Sequence, residues 1–152
     1  MRYVTKSPEQ TLKLGYRLGK KIKSGNVVAL IGELGAGKTV FTKGIAKALG
    51  VKGYEYVNSP SFVIVKVYRA KKTSLYHFDF YRLKSSSDLA TVGYEDYFYS
   101  DGVSVVEWAD RAMDVLPDKH ISVKFKHLGN NKREIAVEKS KCKNKKLQYK
   151  IF

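Results

Sequence analysis

Apolar residues follow two different spacings along this chain, and together they predict strands alternating with helices. Residues 27–31 form an unbroken apolar run, which is typical of a strand buried on both faces. After a glycine-rich stretch, Phe41, Ile45 and Leu49 recur at helical spacing, and Gly50 is placed to end that helix. A strand, a glycine-rich loop and a helix in this order indicate an α/β domain.

Another helix is predicted close to the N-terminus. Ser7 is a favourable N-cap, Pro8 suits the first helical position, and Gln10 completes a capping box. One apolar stripe follows at helical spacing, made of Leu14, Leu18 and Ile22. Gly25 is expected to end the element. We expect this helix to pack on the sheet.

The middle of the chain predicts an antiparallel hairpin. Residues 62–68 and 75–80 are both strand-like, and a short polar turn at 69–73 is too short for a helical crossover between them. Residues 85–88 indicate a helix start. An aromatic cluster follows, which we expect to contribute to the core or to an interface: Tyr94, Tyr97, Phe98 and Tyr99.

The last third of the chain predicts a further buried strand and then edge strands. Residues 102–108 are apolar and end in a carboxylate, and residues 109–116 read as a short helix stopped by Pro117. Alternating polarity predicts strands at 121–127, 135–137 and 147–151, with a turn at 129–131.

The stretch from Gly32 to Thr39 fits the phosphate-binding pattern G-x-x-x-x-G-K-[ST] between a strand and a helix. Glycines let backbone N–H groups turn towards phosphate oxygens, and the helix N-terminus adds a favourable dipole. Lys38 is expected to reach the β- and γ-phosphates, and the Thr39 hydroxyl to ligate Mg²⁺. The predicted nucleotide-binding residues are Gly32, Glu33, Leu34, Gly35, Ala36, Gly37, Lys38 and Thr39. The predicted fold is therefore α/β, a P-loop NTPase-like three-layer fold whose mixed sheet has a parallel core and antiparallel hairpins at its edges and C-terminus.

Two carboxylates stand at the ends of predicted strands. Asp79 is a candidate ligand of the magnesium ion or its water shell, with a turn cap as the alternative. Glu107 is a candidate either to hold the magnesium shell or to orient the attacking water, because ligands of open α/β sheets gather at such strand ends. Trp108 either flanks the site or fills the core.

Length and composition predict one domain, residues 1–152, in a reducing cytoplasm. No segment has the apolar length to span a membrane, and the N-terminus lacks the apolar block of a signal peptide. Cys142 is the only cysteine, so neither an internal disulfide nor a cysteine-based zinc site can form. The net charge of +15 favours a polyanionic neighbour, such as RNA or an acidic protein surface, or else reflects a lysine-rich surface without a partner.

Two other site types are poorly supported by the sequence. The three histidines, His77, His120 and His127, lack metal-ligand spacing, so zinc is not expected. Residues 131–134 come within one residue of the guanine-reading pattern N-K-x-D, but they lie in a predicted hairpin turn rather than after a buried strand.

Four motifs in this order resemble one family: G-E-L-G-A-G-K-T, S-P-S-F, H-F-D-F-Y-R-L and V-E-W. They are similar to those of the TsaE family, formerly YjeE, which are small bacterial P-loop ATPases. The resemblance covers nearly the whole chain. It implies ATP and Mg²⁺ as cofactors, and a role in threonylcarbamoylation of the adenosine beside the anticodon in tRNAs that read ANN codons.

The resemblance also implies roles for individual residues. Lys38 and Thr39 match the family's phosphate lysine and magnesium-ligating threonine. Asp79 matches an acidic residue needed for activity, Glu107 matches a carboxylate tied to magnesium, and Arg133 matches an arginine placed at the nucleotide. Residues 59–62 correspond to a switch-like loop. The chain departs from the common pattern at Ser61, Val40 and Ala109, none of which is a proposed ligand.

The family's partners imply how such an ATPase would act. It binds the TsaD and TsaB proteins, meets tRNA through that complex, and couples ATP hydrolysis to repeated turnover, so slow hydrolysis alone and stimulation by partners are expected. Two alternatives belong to other classes, a small-molecule P-loop kinase and a non-hydrolysing nucleotide-gated adaptor. The basic run Lys139 to Lys146 is a candidate contact with tRNA.

Overall fold

A seven-stranded mixed sheet forms the centre of the computed structural model, which describes residues 1–71 and 73–140. The strands lie in the order β1-β7-β6-β2-β5-β4-β3. They are β1 (Arg2–Thr5), β2 (Val27–Ile31), β3 (Val65–Arg69), β4 (Ser74–Asp79), β5 (Val103–Glu107), β6 (Ile121–Gly129) and β7 (Lys132–Lys139). Strands β4, β5, β2 and β6 run parallel, whereas β3, β7 and β1 pair antiparallel with their neighbours. The predicted α/β fold with a parallel core and antiparallel edges is confirmed.

Two helices cover one face of this sheet. They are α1 (Pro8–Gly19) and α2 (Lys38–Leu49). Ser7 caps α1 by accepting the N–H of Gln10 at 3.2 Å, while the Gln10 side chain accepts the N–H of Lys6 at 2.8 Å. Gly50 ends α2 in a left-handed conformation, as the sequence predicts.

The opposite face is covered by short elements. They are α3 (Glu95–Phe98) and two 3₁₀ segments, Ser86–Leu89 and Ala109–Val115. A third 3₁₀ segment, Tyr54–Tyr56, packs on the side of α1 and α2. Within the aromatic cluster, Phe98 is buried while Tyr99 is exposed. The two faces bury separate apolar cores, one against α1 and α2 and the other beneath these short elements.

Several predicted bounds need correction. The strand predicted at 62–68 begins only at Val65, because the carbonyl of Pro60 accepts the N–H groups of Val63 and Ile64 in a turn. The helix predicted at 109–116 is a pair of 3₁₀ turns with a kink at Ala112. The helix start at 85–88 is a 3₁₀ turn closed by a reciprocal cap between Ser85 and Asp88. Strand β1 was not predicted, and the strand expected at 147–151 lies outside the described residues.

Candidate nucleotide-binding site

The glycine-rich loop lies between β2 and α2, at the carboxyl end of a central parallel strand. Gly35 has a φ of 74° and Gly37 a φ of 100°, a region that glycine enters without strain. Helix α2 begins directly after Gly37, at Lys38. The unpaired N–H groups of its first turn therefore face the same space as the loop, which is the arrangement that binds phosphate in other proteins.

Lys38 is held inside the loop. Its Nζ donates to the carbonyl oxygens of Gly32 at 2.6 Å and Glu33 at 2.8 Å, and it lies 4.0 Å from the centroid of the Trp108 ring. Burial lowers the pKa of Lys38, and the nearby carboxylates of Glu107, Asp110 and Asp79 oppose that shift. An anionic group entering the loop would supply further compensation for this buried cation.

Glu107 lies at the end of β5 and is 3% exposed. Its Oε2 accepts the hydroxyl proton of Thr39 at 3.0 Å, and its Oε1 lies 2.8 Å from Nε2 of His77. Parallel pairing of β4 with β5 aligns Glu107 with Asp79. The register of the sheet thus brings both predicted carboxylates to the mouth of the glycine-rich loop.

Asp79 has hydrogen bonds on both carboxylate oxygens. Oδ1 accepts the N–H of Tyr81 at 2.8 Å, and Oδ2 accepts the hydroxyl of Ser59. Asp79 therefore does cap the following turn, and it lines the site as well. Burial raises its pKa, the charge of Glu107 adds to the increase, and the Tyr81 N–H, His77 and Lys38 oppose it.

Arg133 reaches the glycine-rich loop from β7, on the other side of α2's N-terminus. Its Nη2 donates to the carbonyl of Gly35 at 3.4 Å and its Nη1 to that of Asn131 at 3.1 Å. Its Nε is buried and has no hydrogen-bond partner among the residues that the structure describes. Nε2 of His127 also lies 3.3 Å from the Gly35 carbonyl. Of residues 131–134, Asn131 sits in the predicted hairpin turn with a φ of 59°, whereas residues 132–134 already belong to β7.

One cavity of about 440 Å³ is lined by most of these residues. Among the residues lining it are Gly35, Gly37, Lys38, Thr39, Ser59, Ser61, Asp79, Tyr81, Glu107, Trp108 and Arg133. Trp108 thus flanks the cavity and also packs against the second apolar core, so both alternatives for it hold. The ring centroid of Tyr81 lies 4.9 Å from that of Trp108. Neither Tyr81 nor His77 was predicted from the sequence as a residue of the nucleotide site.

The donors present suit a hard cation such as Mg²⁺. Within the described ranges, no group of three or more His, Cys, Asp or Glu side chains is arranged to hold a metal. Mg²⁺ is commonly held by one or two carboxylates together with substrate phosphates, rather than by a complete cage of protein ligands. The hydroxyl of Thr39 and the carboxylates of Glu107 and Asp79 provide such an incomplete set of oxygens beside the loop.

Two further sequence-based expectations concern parts of the chain outside this site. Of the basic run Lys139 to Lys146, only Lys139 is described, at the end of β7, and residues 141–146 lie outside the described part of the chain. Across residues 1–71 and 73–140, no helix is long and apolar enough to cross a membrane.

Comparison with known proteins gives a consistent result. Residues 5–135 match the family described as "Threonylcarbamoyl adenosine biosynthesis protein TsaE". A tRNA threonylcarbamoyladenosine biosynthesis protein TsaE from Treponema pallidum is 39% identical over 137 residues, covering 90% of this chain and 99% of that protein. The protein of the same name from Bacillus subtilis is 39% identical, covering 90% and 84%. The crystal structure of Bacillus subtilis YdiB superposes with a TM-score of 0.74 at 34% identity, covering 92% of this chain and 84% of that one.

Proposed function

The chain belongs to the TsaE family of tRNA threonylcarbamoyladenosine biosynthesis, and we propose that within this process it binds ATP with Mg²⁺ and hydrolyses it. The observation that carries the proposal is the bond from Thr39 to Glu107, which joins the last residue of the phosphate-binding motif to a buried carboxylate at the end of the neighbouring strand. P-loop NTPases use such a hydroxyl and a strand-end carboxylate to hold the magnesium ion of a bound nucleotide.

The loop and the start of α2 bind the phosphates in this proposal. Backbone N–H groups of the loop and of the first turn of α2 would bind the phosphate oxygens, apart from that of Ala36, which donates to the Glu33 carbonyl at 3.1 Å. Lys38 would neutralise charge on the β- and γ-phosphates. Arg133 contributes a second cation next to Gly37, where its buried Nε has no hydrogen-bond partner within residues 1–71 and 73–140. The base is proposed to be adenine, because the guanine-like pattern at residues 131–134 starts in the hairpin turn at Asn131 and runs into the antiparallel strand β7, rather than following a buried parallel strand.

The two carboxylates, Glu107 and Asp79, have different roles in this proposal. Mg²⁺, when bound with the nucleotide, neutralises charge that develops on the phosphate oxygens. Thr39 and Glu107 would hold it, and Asp79 would bind its water shell and orient the attacking water. Burial raises the pKa of Asp79, which makes it a better proton acceptor than an exposed aspartate.

The loop at residues 59–62 is placed to act as a switch that responds to the nucleotide. Ser59 donates to Asp79, and the loop's tip carries an exposed Phe62, 82% accessible, against which Arg82 packs at 4.1 Å. Because Ser59 and Ser61 line the cavity, a γ-phosphate would change the contacts of this loop and its hydrolysis would reverse them. We propose that this movement couples ATP hydrolysis to turnover of the TsaD–TsaB complex that modifies tRNA.

The test is ATP turnover by the purified protein, alone and with the TsaD–TsaB pair of its host. We expect slow turnover alone, stimulation by the pair, and at least a 100-fold loss in Glu107→Gln, since losing a group that stabilises the transition state costs about two to three decades of rate. Glu95→Gln is the matched control, because Glu95 is exposed on α3, and it should behave as the parent protein.

Two outcomes would replace the proposal. Efficient phosphoryl transfer to a small acceptor, indifferent to the pair, would identify a kinase. Full tRNA modification sustained by a Glu107→Gln protein that binds ATP without hydrolysing it would identify a nucleotide-gated adaptor.

A further inference from the structure

His77 is buried inside the sheet layer, directly behind the proposed magnesium site. Its side chain is fully buried, and it lies two residues before Asp79 on the same face of β4. Its cross-strand neighbour on β5 is Val105, and Glu107 follows two residues later on the same face. The imidazole therefore approaches Glu107 diagonally across the two strands, from the interior side.

Among the described residues, the imidazole makes a single hydrogen bond. Nε2 lies 2.8 Å from Oε1 of Glu107, whereas Nδ1 is buried and has no partner among the described residues. A carboxylate that ligates Mg²⁺ can only accept hydrogen bonds, so in that role of Glu107 the Nε2 of His77 donates. A buried nitrogen without a partner costs stability, and an apolar side chain of similar volume would avoid that cost. Packing alone therefore does not account for a histidine at this position.

Glu107 is held from both sides. Thr39 donates to Oε2 at 3.0 Å from the nucleotide side, and His77 binds Oε1 from the core side. With one bond to each oxygen, rotation of this buried carboxylate would break a hydrogen bond. Of these two partners, His77 alone does not line the cavity.

We propose that His77 is a positioning residue that fixes the orientation of Glu107 for magnesium-dependent nucleotide binding. This inference rests on the proposed function, because it assigns Glu107 to the magnesium shell. Groups that hydrogen-bond metal ligands typically change metal affinity by about 10- to 100-fold when they are removed. His77 would act in this way, touching neither the metal ion nor the nucleotide.

The experiment measures binding of a non-hydrolysable ATP analogue as a function of Mg²⁺ concentration, and also in EDTA. In His77→Leu, the half-saturating Mg²⁺ concentration should rise by about 10-fold or more, while affinity in EDTA stays within about 2-fold. A merely structural role would weaken binding equally in both conditions. Thermal denaturation without nucleotide establishes that the variant is folded at the temperature of the assay.

A pair of polar variants keeps the inference testable if the leucine variant fails to fold. Glutamine can place an amide nitrogen where Nε2 lies, whereas asparagine reaches only as far as Nδ1. His77→Gln should retain most of the parent's magnesium dependence and His77→Asn should lose it. Equal behaviour of these two variants would overturn the inference.

Glu107→Gln separates this inference from the proposed function. If that variant leaves the magnesium dependence unchanged, the assignment of Glu107 to the magnesium shell fails, and the role of His77 fails with it. If Glu107→Gln shifts the dependence while folded His77→Leu does not, only the inference about His77 is wrong.

Discussion

The hydroxyl of Thr39 donates to Oε2 of Glu107 at 3.0 Å, across 68 residues of sequence. This bond ties the first turn of α2 to the carboxyl end of β5, the two places from which a P-loop protein supplies its magnesium ligands. The geometry follows from parallel pairing of β2 with β5, because pairing of Leu30 with Glu107 brings the carboxylate beside the loop that leaves β2.

Replacing Thr39 with valine should weaken magnesium-dependent nucleotide binding. Valine keeps the branched shape but has no oxygen, so it removes both the proposed ligand and the donor to Glu107. We expect the affinity for ATP in excess Mg²⁺ to fall by about 10-fold or more, since a hydrogen bond to a charged group contributes about 1.5–3 kcal/mol. Isothermal titration with and without Mg²⁺ measures this.

Thr39→Ser provides the matched control for that substitution. Serine retains the hydroxyl, so magnesium dependence should be preserved. If Thr39→Val and Thr39→Ser bound nucleotide equally well in excess Mg²⁺, the hydroxyl would have no part in binding the metal.

Asp79→Asn should not destabilise the nucleotide-free protein at neutral pH. Burial raises the pKa of Asp79 in the folded state above its ordinary value of 3.8. At any pH between the ordinary pKa and the folded-state pKa, the folded state therefore binds more protons than the unfolded state. The resulting stabilisation is complete below the ordinary value and is lost as the pH rises through the folded pKa. Asparagine stays neutral and retains an oxygen for the Tyr81 N–H, so it avoids this loss.

Urea denaturation between pH 4 and pH 8 tests the Asp79 prediction. The stability difference between Asp79→Asn and the parent protein should shift in favour of the variant as the pH rises. Asp79→Ala serves as the control, because it removes the acceptors for both Tyr81 and Ser59 and should be less stable than Asp79→Asn throughout. If Asp79→Asn instead lost stability relative to the parent protein as the pH rose, the pKa of Asp79 in the folded state would lie below its ordinary value, contrary to the prediction.

The central sheet was predictable because its signals are local. The apolar runs at β2 and β5 and the short turn between β3 and β4 each specify an element without reference to the rest of the chain. Strand β1 has no such signal. It is four residues long, and it is a strand because β7, more than 120 residues away in sequence, supplies its hydrogen-bond partners.

The segment at residues 62–64 misled the prediction for a physical reason. Phe62, Val63 and Ile64 all have high strand propensity, but the preceding Pro60 starts a turn that places Ile64 at a φ of 67°. A branched residue in that region is strained, so the surrounding contacts, rather than local preference, determine its conformation.

In the candidate site, too, some residues are predictable from a local motif, and others are placed by distant parts of the chain. The glycine-rich loop is a continuous motif, and Asp79 and Glu107 stand at recognisable strand ends. The contact of His77 with Glu107 depends on the register of two parallel strands, and the position of Trp108 over Lys38 depends on a φ of 56° at Trp108. Neither register nor that backbone conformation is encoded by a local pattern.

Gly15→Ala and Gly44→Ala should each strongly destabilise the protein. A Cβ at Gly15 would lie 2.1 Å from the carbonyl oxygen of Phe41, and one at Gly44 would lie 2.1 Å from that of Leu12. Since both obstacles are backbone atoms, α1 and α2 would have to separate, at a cost of about 1–3 kcal/mol or more. Chemical denaturation measures this cost. Lys13→Ala, at an exposed position of α1, should stay within about 0.5 kcal/mol of the parent.

Arg133→Gln should weaken ATP binding by about 10- to 100-fold, because charge-assisted hydrogen bonds contribute about 1.5–3 kcal/mol each. The guanidinium lies against Gly35 and Gly37, and its buried Nε has no acceptor in the described part of the chain. An anionic oxygen at the loop would therefore complete its hydrogen bonding. Binding of adenosine, which lacks phosphates, should be unaffected. The neighbouring Lys132→Gln removes the same charge at an exposed position and should stay within about 2-fold of the parent. If both variants weakened ATP binding to the same small extent, Arg133 would contribute only to the general positive charge of the protein, and its contact with the nucleotide would be disproved.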